Sequence, residues 1–498
     1  MPRRVQALIA FLSLLGFVAA APAAPAAELS HARIVRLSYV AGDVQSRTEE
    51  SAPWQKAVVN TPLREGMWLA TGDGRAEIEF ESGATAWMAS NTIMELSQLA
   101  LDDGAKLTLL TVTQGTTTFY VQPGKLDSFA VQAGTLQVHP PGRARFRVDV
   151  FDDGASVSVL RGNADVDSRD TTFHVNSKRT LAVRNDSVSD GTLAANPHAD
   201  DWDRWVADRD GAVDSARRNT LNYLDAPIGY GLADLSFYGG WVNLPGYGYG
   251  WQPYGVGAGW SPFYNGYWSN FGAFGPAWIS YEPWGWVPYH YGGWVFSPAY
   301  GWVWSPTRSF VWSPATVAFV RTSTGAIGWV PRNPRETAAV TGAPLNLSRG
   351  LITNSLDGAA SRGSNLILHG PALSGAQAVT DFRSEPAMAR FAQQAQAAPP
   401  SVQAAGAPRG VSAAQRMPAG SAPRVATAGM LGGSAPRYRA PSIFRPGHYS
   451  EQAGGGFGAP AMQSSPSSGA GSSRASSGSV SGGRTGPVSS GGGGARKP

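Results

Sequence analysis

Arg145-Phe146-Arg147-Val148-Asp149-Val150, then Asp152-Asp153-Gly154, then Ser156-Val157-Ser158-Val159 is the stretch from which the fold can be read. Polar and apolar residues alternate strictly on both sides of an Asp-Gly turn. A period of two puts every second side chain on one face, and the Asp-Gly pair supplies the tight reversal, so the segment reads as a β-hairpin. The same grammar extends outward. Ala76 to Phe80 and Leu107 to Val112 alternate, and turns fall at Gly72-Asp73-Gly74, Gln114-Gly115, Pro123-Gly124, Pro140-Pro141-Gly142 and Arg161-Gly162-Asn163. Residues 32–190 therefore form a β domain of many short strands, a sandwich, barrel or short β-solenoid.

Beyond that domain the composition changes twice. Residues 199–225 keep a helical stripe through Trp202, Trp205, Val206, Val213 and Ala216, with Asp200 or Asp201 placed to cap it. This short linking helix is read as a connector that lays its two tryptophans on a neighbouring domain. Between Phe237 and Trp312 the chain then packs 11 Trp, 10 Tyr and 6 Phe with 15 Gly and 8 Pro. Only Glu282 and Arg308 are charged there. Trp260 and Trp286, Trp268 and Trp294, and Trp278 and Trp304 are each 26 apart, which marks a repeated supersecondary unit. Residues 229–336 are expected to be an aromatic Trp/Tyr-repeat β module, with Ala315–Val320 and Ile327–Pro331 as closing strands.

The ends carry the cellular signals. Arg3 and Arg4, an apolar run from Leu8 to Ala20, and small residues through Ala21-Pro22-Ala23 and Ala24-Pro25-Ala26 read as a secretory signal peptide over residues 1–26. No other long apolar stretch follows, so no transmembrane segment is expected after cleavage, and the place of work is periplasmic or secreted. The sequence has no cysteine, which excludes disulfides, thiolate metal sites and thiol catalysis. Residues 337–385 read as a poorly structured connector. Residues 386–498, rich in Ala, Pro, Gly, Ser and Arg, read as a disordered tail. That tail holds eleven basic residues against the single acid Glu451. Its charge of +10 leaves −5 of the chain's total +5 for everything else.

The β domain resembles the FecR domain. The resemblance runs through Gly42-Asp43-Val44, Asn60-Thr61-Pro62-Leu63, Gly66, Thr71-Gly72-Asp73-Gly74-Arg75-Ala76-Glu77-Ile78, Ser82-Gly83-Ala84-Thr85, Asn91-Thr92, and Gly115 ahead of Phe119-Tyr120-Val121. It implies an all-β module that binds another envelope component. FecR regulators relay a receptor's state to a sigma factor and carry a cytoplasmic segment and membrane helix ahead of the domain; here the expected signal peptide stands in that place. The aromatic module resembles a Trp/Tyr-repeat family of unknown function found behind FecR domains in bacterial exported proteins. The residues that carry this are Pro283-Trp284-Gly285-Trp286-Val287-Pro288-Tyr289-His290-Tyr291-Gly292, Gly301-Trp302-Val303-Trp304 and Gly328-Trp329-Val330-Pro331-Arg332, with Trp202-Asp203-Arg204-Trp205 ahead of them. No activity comes with it.

Catalytic chemistry finds little footing. The seven histidines never fall two to five apart, so no metal motif exists and no metal or other cofactor is expected. Gly255-Val256-Gly257-Ala258-Gly259 lacks the spacing of a dinucleotide loop, and Gly154-Ala155-Ser156 lacks the second glycine of a nucleophile elbow. Asp234 and Glu282 are the one carboxylate pair a glycosidase could use. The expectation is a non-enzymatic envelope protein with a scaffold or protein-interaction role. One alternative is glycan or peptidoglycan binding by the repeats, with Trp260, Trp268, Glu282, Trp284, Trp286, Tyr289, His290 and Trp294 as the candidate ligand residues. The other is a soluble periplasmic sensor that modulates a transmembrane partner. The partner is thus an envelope protein or polysaccharide, and not nucleic acid, because the aromatic window holds a single arginine. Most of the rings are read as the module's own core, since a segment so poor in Leu and Ile must bury something. The polar minority near Glu282 and His290 is the part left for a ligand.

Overall fold

The computed structural model describes residues 33–186, 191–226, 228–271, 274–307, 310–325, 327–336, 342–354 and 365–379. The expected signal peptide over 1–26 and the expected disordered tail over 386–498 lie outside the described residues. Seventeen strands, β1 to β17, run between Val35 and Ala195. The opening hairpin is β12 (Ala144–Phe151) with β13 (Gly154–Arg161), paired antiparallel with Val148 opposite Val157. Its valines point inward as the alternation requires: Val148, Val157 and Val159 have no exposed surface.

Two sheets share one strand. The 17-residue β9 (Ala105–Val121) pairs in its first half with β8 (Thr92–Asp102) and β10 (Ser128–Ala133). In its second half it pairs with β7 (Thr85–Met88) and β12. The changeover is at Gly115, where φ is +84° and a Cβ would sit 2.4 Å from the Asn91 carbonyl oxygen, so only glycine lets the strand pass there. Inward side chains of both sheets, Val35, Leu37, Ile78, Phe80, Phe119, Phe146 and Val166 among them, build one apolar core. The arrangement is a β-sandwich of antiparallel sheets, with β9–β10 as its parallel pair.

The linking helix α1 spans Asp201–Leu221. Its N-terminus is a capping box: Asp200 accepts from the Asp203 amide at 2.9 Å and Asp203 accepts from the Asp200 amide at 3.2 Å. Trp202 and Val206 pack on Trp87 and Ala89 of the sandwich, and Trp205 stacks on Trp202 at 5.0 Å. The Trp202 indole donates to Thr118 at 3.0 Å. Asp200 also meets Arg147 at 2.9 Å. Asp200→Ala is therefore expected to cost about 1–2 kcal/mol, near the upper end for a cap, in urea unfolding. An unchanged midpoint would show that the cap contributes nothing.

The aromatic module opens with helix α2 (Leu232–Tyr238) and is then built of hairpins: β18 (Gly239–Leu244) with β19 (Gly248–Pro253), β20 (Gly266–Asn270) with β21 (Pro276–Ser280), β22 (Gly293–Ser297) with β23 (Gly301–Ser305), and β24 (Val317–Arg321) with β25 (Ile327–Pro331). The short helix α3 (Trp286–His290) lies between the second and third hairpins. The 26-residue period is the step from one hairpin to the next. Trp268 faces Trp278 across one hairpin, and Trp294 faces Trp304 across the next. Trp241 faces Trp251 and Phe319 faces Trp329 in the outer two. Each unit thus carries a cross-strand aromatic pair, the unit of sheet stabilisation. In the first three units a glycine lies beneath the second indole: a Cβ on Gly239, Gly266 or Gly292 would fall 2.2, 2.6 or 2.8 Å from Trp251, Trp278 or Trp304.

Two sequence expectations need correction here. Strands β24 and β25 do not close the module, and residues 337–385 are not wholly an unstructured connector. β26 (Leu351–Asn354), β27 (Asn365–Leu368) and β28 (Gln377–Ala378) join β24 and β25 in a five-stranded sheet ordered β27-β26-β25-β24-β28. The reason is sheet-edge satisfaction. A β24–β25 hairpin alone would leave unpaired backbone groups along both edges; β26 pairs with β25 and β28 with β24, and Leu351 and Ile352 of β26 are themselves almost fully buried.

Candidate functional site

The ligand candidates named from sequence lie in the interior. Trp286, Tyr289 and Trp294 have no exposed surface, His290 has 1%, Trp284 4%, and Trp268 and Glu282 8%. Trp260 is half-buried against the same cluster. A sugar-stacking platform needs open ring faces, and these faces are taken by other rings. Trp284 is in edge contact with Trp251 and Trp260, and Tyr289 packs on Phe263 at 4.6 Å. Seven of these eight residues are buried in the core and Trp260 packs half-buried against it, gathered because the hairpins turn one face of every aromatic pair toward a common centre. Among them Trp260 gives its indole N–H to Glu282 at 2.7 Å and Trp294 gives its own to the Pro288 carbonyl at 2.9 Å, the neighbouring Trp251 and Trp304 bond the Leu235 and Tyr291 carbonyls at 2.7 and 2.8 Å, and the buried indole N–H of Trp286 has no partner among the described residues.

Glu282 is the hub of that core. Its carboxylate accepts from the Trp260 indole at 2.7 Å, from Ser280 at 3.1 Å and from the Tyr289 hydroxyl. Burial nonetheless wins over these bonds and pushes its carboxyl up to about 7. His290 is pushed down to about 4 by burial. It lies over Trp312 at 5.2 Å and bonds through Nδ1 to the Ser313 carbonyl at 2.8 Å. It is a neutral packing residue at neutral pH.

The concentrated electrostatics lie elsewhere, between the sandwich and the aromatic module. Strand β6 (Arg75–Phe80) alternates Ala76, Ile78 and Phe80 with Glu77 and Glu79, so its second face reads as polar and solvated. Both glutamates are buried instead, because α1 and α2 cover that face. Glu77 receives a two-pronged Arg209 from α1 at 2.8 Å on each oxygen, together with Trp87 at 2.8 Å and Ser38 at 2.7 Å. These partners hold its carboxyl below the usual carboxylate range despite burial. Arg36 on β1 (Val35–Ala41) bonds Glu79 at 2.7 Å and Asp234 of α2 at 2.8 Å, and lies over the Trp286 ring at 5.7 Å. Burial works against its charge, but Asp234 and Glu79 outweigh that and hold Arg36 above its ordinary value. One guanidinium shared by two carboxylates leaves burial dominant on the acids, and both Glu79 and Asp234 are raised. Asn60, at φ +64°, completes the junction by donating to the Glu282 carbonyl at 2.8 Å.

The carboxylates Asp234 and Glu282 are therefore not presented together to a cleft. Asp234 is fixed to Arg36 in the junction, and Glu282 is enclosed by Trp260, Ser280 and Tyr289. Among the described residues no group of three or more His, Asp or Glu is placed to hold a metal ion. No helix among them is long and apolar enough to cross a membrane. Sequence reasoning missed the junction, because Arg36 and Asp234 are 198 positions apart and neither stands in a motif. The one available signal was a resemblance that placed Asn60 and Glu77 in a single module.

Comparison with known proteins gives two family matches. The model described as FecR protein matches residues 68–165, and that described as Family of unknown function (DUF6600) matches residues 232–336. Two solved structures from Parabacteroides distasonis ATCC 8503, each provisionally described as an anti-sigma factor, share 18% and 17% identity, both at a TM-score of 0.23. They align with 26% and 30% of this chain, which in turn spans 58% of the first and 71% of the second. No curated protein matches.

Proposed function

Because the chain carries a FecR domain followed by a DUF6600 domain, we propose that it is a non-enzymatic envelope protein in which the two act as one rigid binding unit. The observation that carries this reading is the buried ionic junction of Arg36, Glu77, Glu79, Arg209 and Asp234. Charges removed from water are costly unless fully paired, so a junction with this many of them favours one relative placement of the two domains. A flexible tether would need none of it. A fixed placement suits a scaffold whose recognition surface spans both domains. The assignment of the two candidate carboxylates to structural partners supports binding rather than hydrolysis as the activity.

The FecR match also favours a second reading, a soluble sensor that modulates a transmembrane signalling partner. One experiment separates the two. The tagged full chain is cross-linked in the envelope of its own host, and captured proteins are identified against an unrelated exported control. The scaffold reading expects a reproducible set of envelope proteins. The sensor reading expects a membrane regulator among them. A capture profile identical to the control would sink both.

A further inference from the structure

A groove of about 110 Å³ lies between the domains. One wall is the outward face of the β20–β21 hairpin. Strand alternation sends Trp268 and Trp278 into the core, so Tyr267, Ser269, Ala277 and Ile279 face the other way and line the groove. The opposite wall comes from the sandwich and carries three cations, Arg47, Lys56 and Arg64. None of the residues lining the groove is acidic. Arg47 is held between the rings of Trp54 and Trp68 at 4.5 and 4.6 Å, and donates through Nη1 to the Glu50 carbonyl, yet its buried Nε has no partner. Lys56 and Arg64 are exposed and form no ion pair among the described residues. Glu65, next to Arg64, accepts from the Leu99 amide at 2.9 Å, and Glu49 and Glu50, which follow Arg47, do not line the groove. Apart from the cationic tail the chain is net negative, so this local excess of positive charge is not a reflection of bulk composition.

We propose that this interdomain groove binds a negatively charged sugar ring. The three cations supply the complementary charge. The hydroxyl and amide side chains of Gln55, Ser269 and Asn270 match ring hydroxyls, while Tyr267 and Phe271 offer apolar surface. At about 110 Å³ the groove is smaller than the roughly 150 Å³ that holds one benzene, so it admits part of a single six-membered ring and leaves the rest of a chain outside. An acidic peptide fits less well. On the sandwich wall the edge strand β3 (Gln55–Lys56) is two residues long, which is too short to add a peptide strand. The chain's own tail is excluded by its like charge. Tyr267 of one wall interacts with Thr61 of the other across the domain boundary.

Isothermal calorimetry on the purified chain tests this with trigalacturonate and glucose 6-phosphate as charged probes. Maltotriose serves as the neutral probe and triglutamate as the peptide. The expected result is binding of at least one charged sugar, tenfold or more tighter than maltotriose, and weakened severalfold between 20 and 200 mM salt. Whichever charged sugar binds names the anion. Lys56→Gln with Arg64→Gln removes two exposed charges and is expected to weaken binding tenfold or more with an unchanged near-ultraviolet circular dichroism spectrum. Ser269→Glu, which adds a carboxylate to the other wall, is expected to do the same from the DUF6600 side. Failure of both charged sugars, equal binding of maltotriose, tighter binding of triglutamate, or indifference to either variant overturns the proposal. The protein-interaction role, tested by cross-linking, stands or falls separately.

Discussion

Arg36→Ala is expected to destabilise the chain by about 3–5 kcal/mol, the range for breaking a buried ion pair from one side. The substitution leaves Glu79 and Asp234 facing each other in the buried junction without their shared cation. Neither can regain water unless the domains separate. The loss should therefore appear as uncoupling: urea unfolding followed by tryptophan fluorescence, which weights the aromatic module, and by far-ultraviolet circular dichroism, which weights the sandwich, should cease to coincide. The charge-free combination Arg36→Met, Glu79→Gln and Asp234→Asn is expected to recover most of the stability, because it removes the desolvated charges together with their partner. If Arg36→Ala alone leaves the two transitions coincident and within 1 kcal/mol of the original, the junction does not hold the domains together.

The second large effect belongs to Glu282. Glu282→Ala strips Trp260, Ser280 and Tyr289 of their common acceptor inside the core and is expected to cost about 3 kcal/mol at pH 5. Glu282→Gln separates charge from shape. The folded-state value of about 7 lies above the ordinary 4.5, so the unfolded chain releases its proton first as pH rises. Stability from this group is fully present below 4.5 and is lost as pH climbs to about 7, a change of about 3 kcal/mol. His290 acts in the opposite sense. Its folded value of about 4 lies below 6.5, so its contribution is present above 6.5 and lost as pH falls toward 4. The two slopes offset in the parent chain, which is why the difference between parent and variant is the quantity to follow. Glu282→Gln should gain about 3 kcal/mol relative to the parent between pH 5 and pH 8. A difference that does not change with pH would mean Glu282 is ionised in the fold at both.

These two clusters differ in how far the sequence exposed them. Glu282 stood out because it was the one acid in a window of rings, and its raised carboxyl follows from that setting. Its role did not follow. A lone carboxylate among tryptophans reads equally as a ligand contact or as an acceptor for indole N–H groups, and only the positions of Trp260 and Tyr289 decide for the second. The junction was less legible still. Glu77 and Glu79 alternate with Ile78 as the solvated face of any half-buried strand would, and periodicity reports which residues share a face, not what later covers it. The hairpin at Arg145–Val159 was readable in full and the helix cap to within one residue, Asp200 or Asp201, because both are made by neighbours in sequence. The strands Leu351–Asn354 and Asn365–Leu368 were not, because the first exists through pairing with β25 and the second through pairing with the first, and two short runs of four residues carry no signal of their own.

By itself the sequence determined the local units: an Asp-Gly hairpin in a β domain, a capped helix bearing two tryptophans, and an aromatic repeat whose period of 26 is the step from one Trp-paired hairpin to the next. Each is set by backbone propensity and side-chain periodicity over a few residues. Tertiary structure alone decided that the polar face of β6 is closed over by helices, that Arg36 reaches Asp234, and that the outward face of the β20–β21 hairpin meets Arg47, Lys56 and Arg64 across a groove. Those outcomes depend on charges and surfaces far apart in the chain being brought out of water together, and no local pattern encodes that meeting.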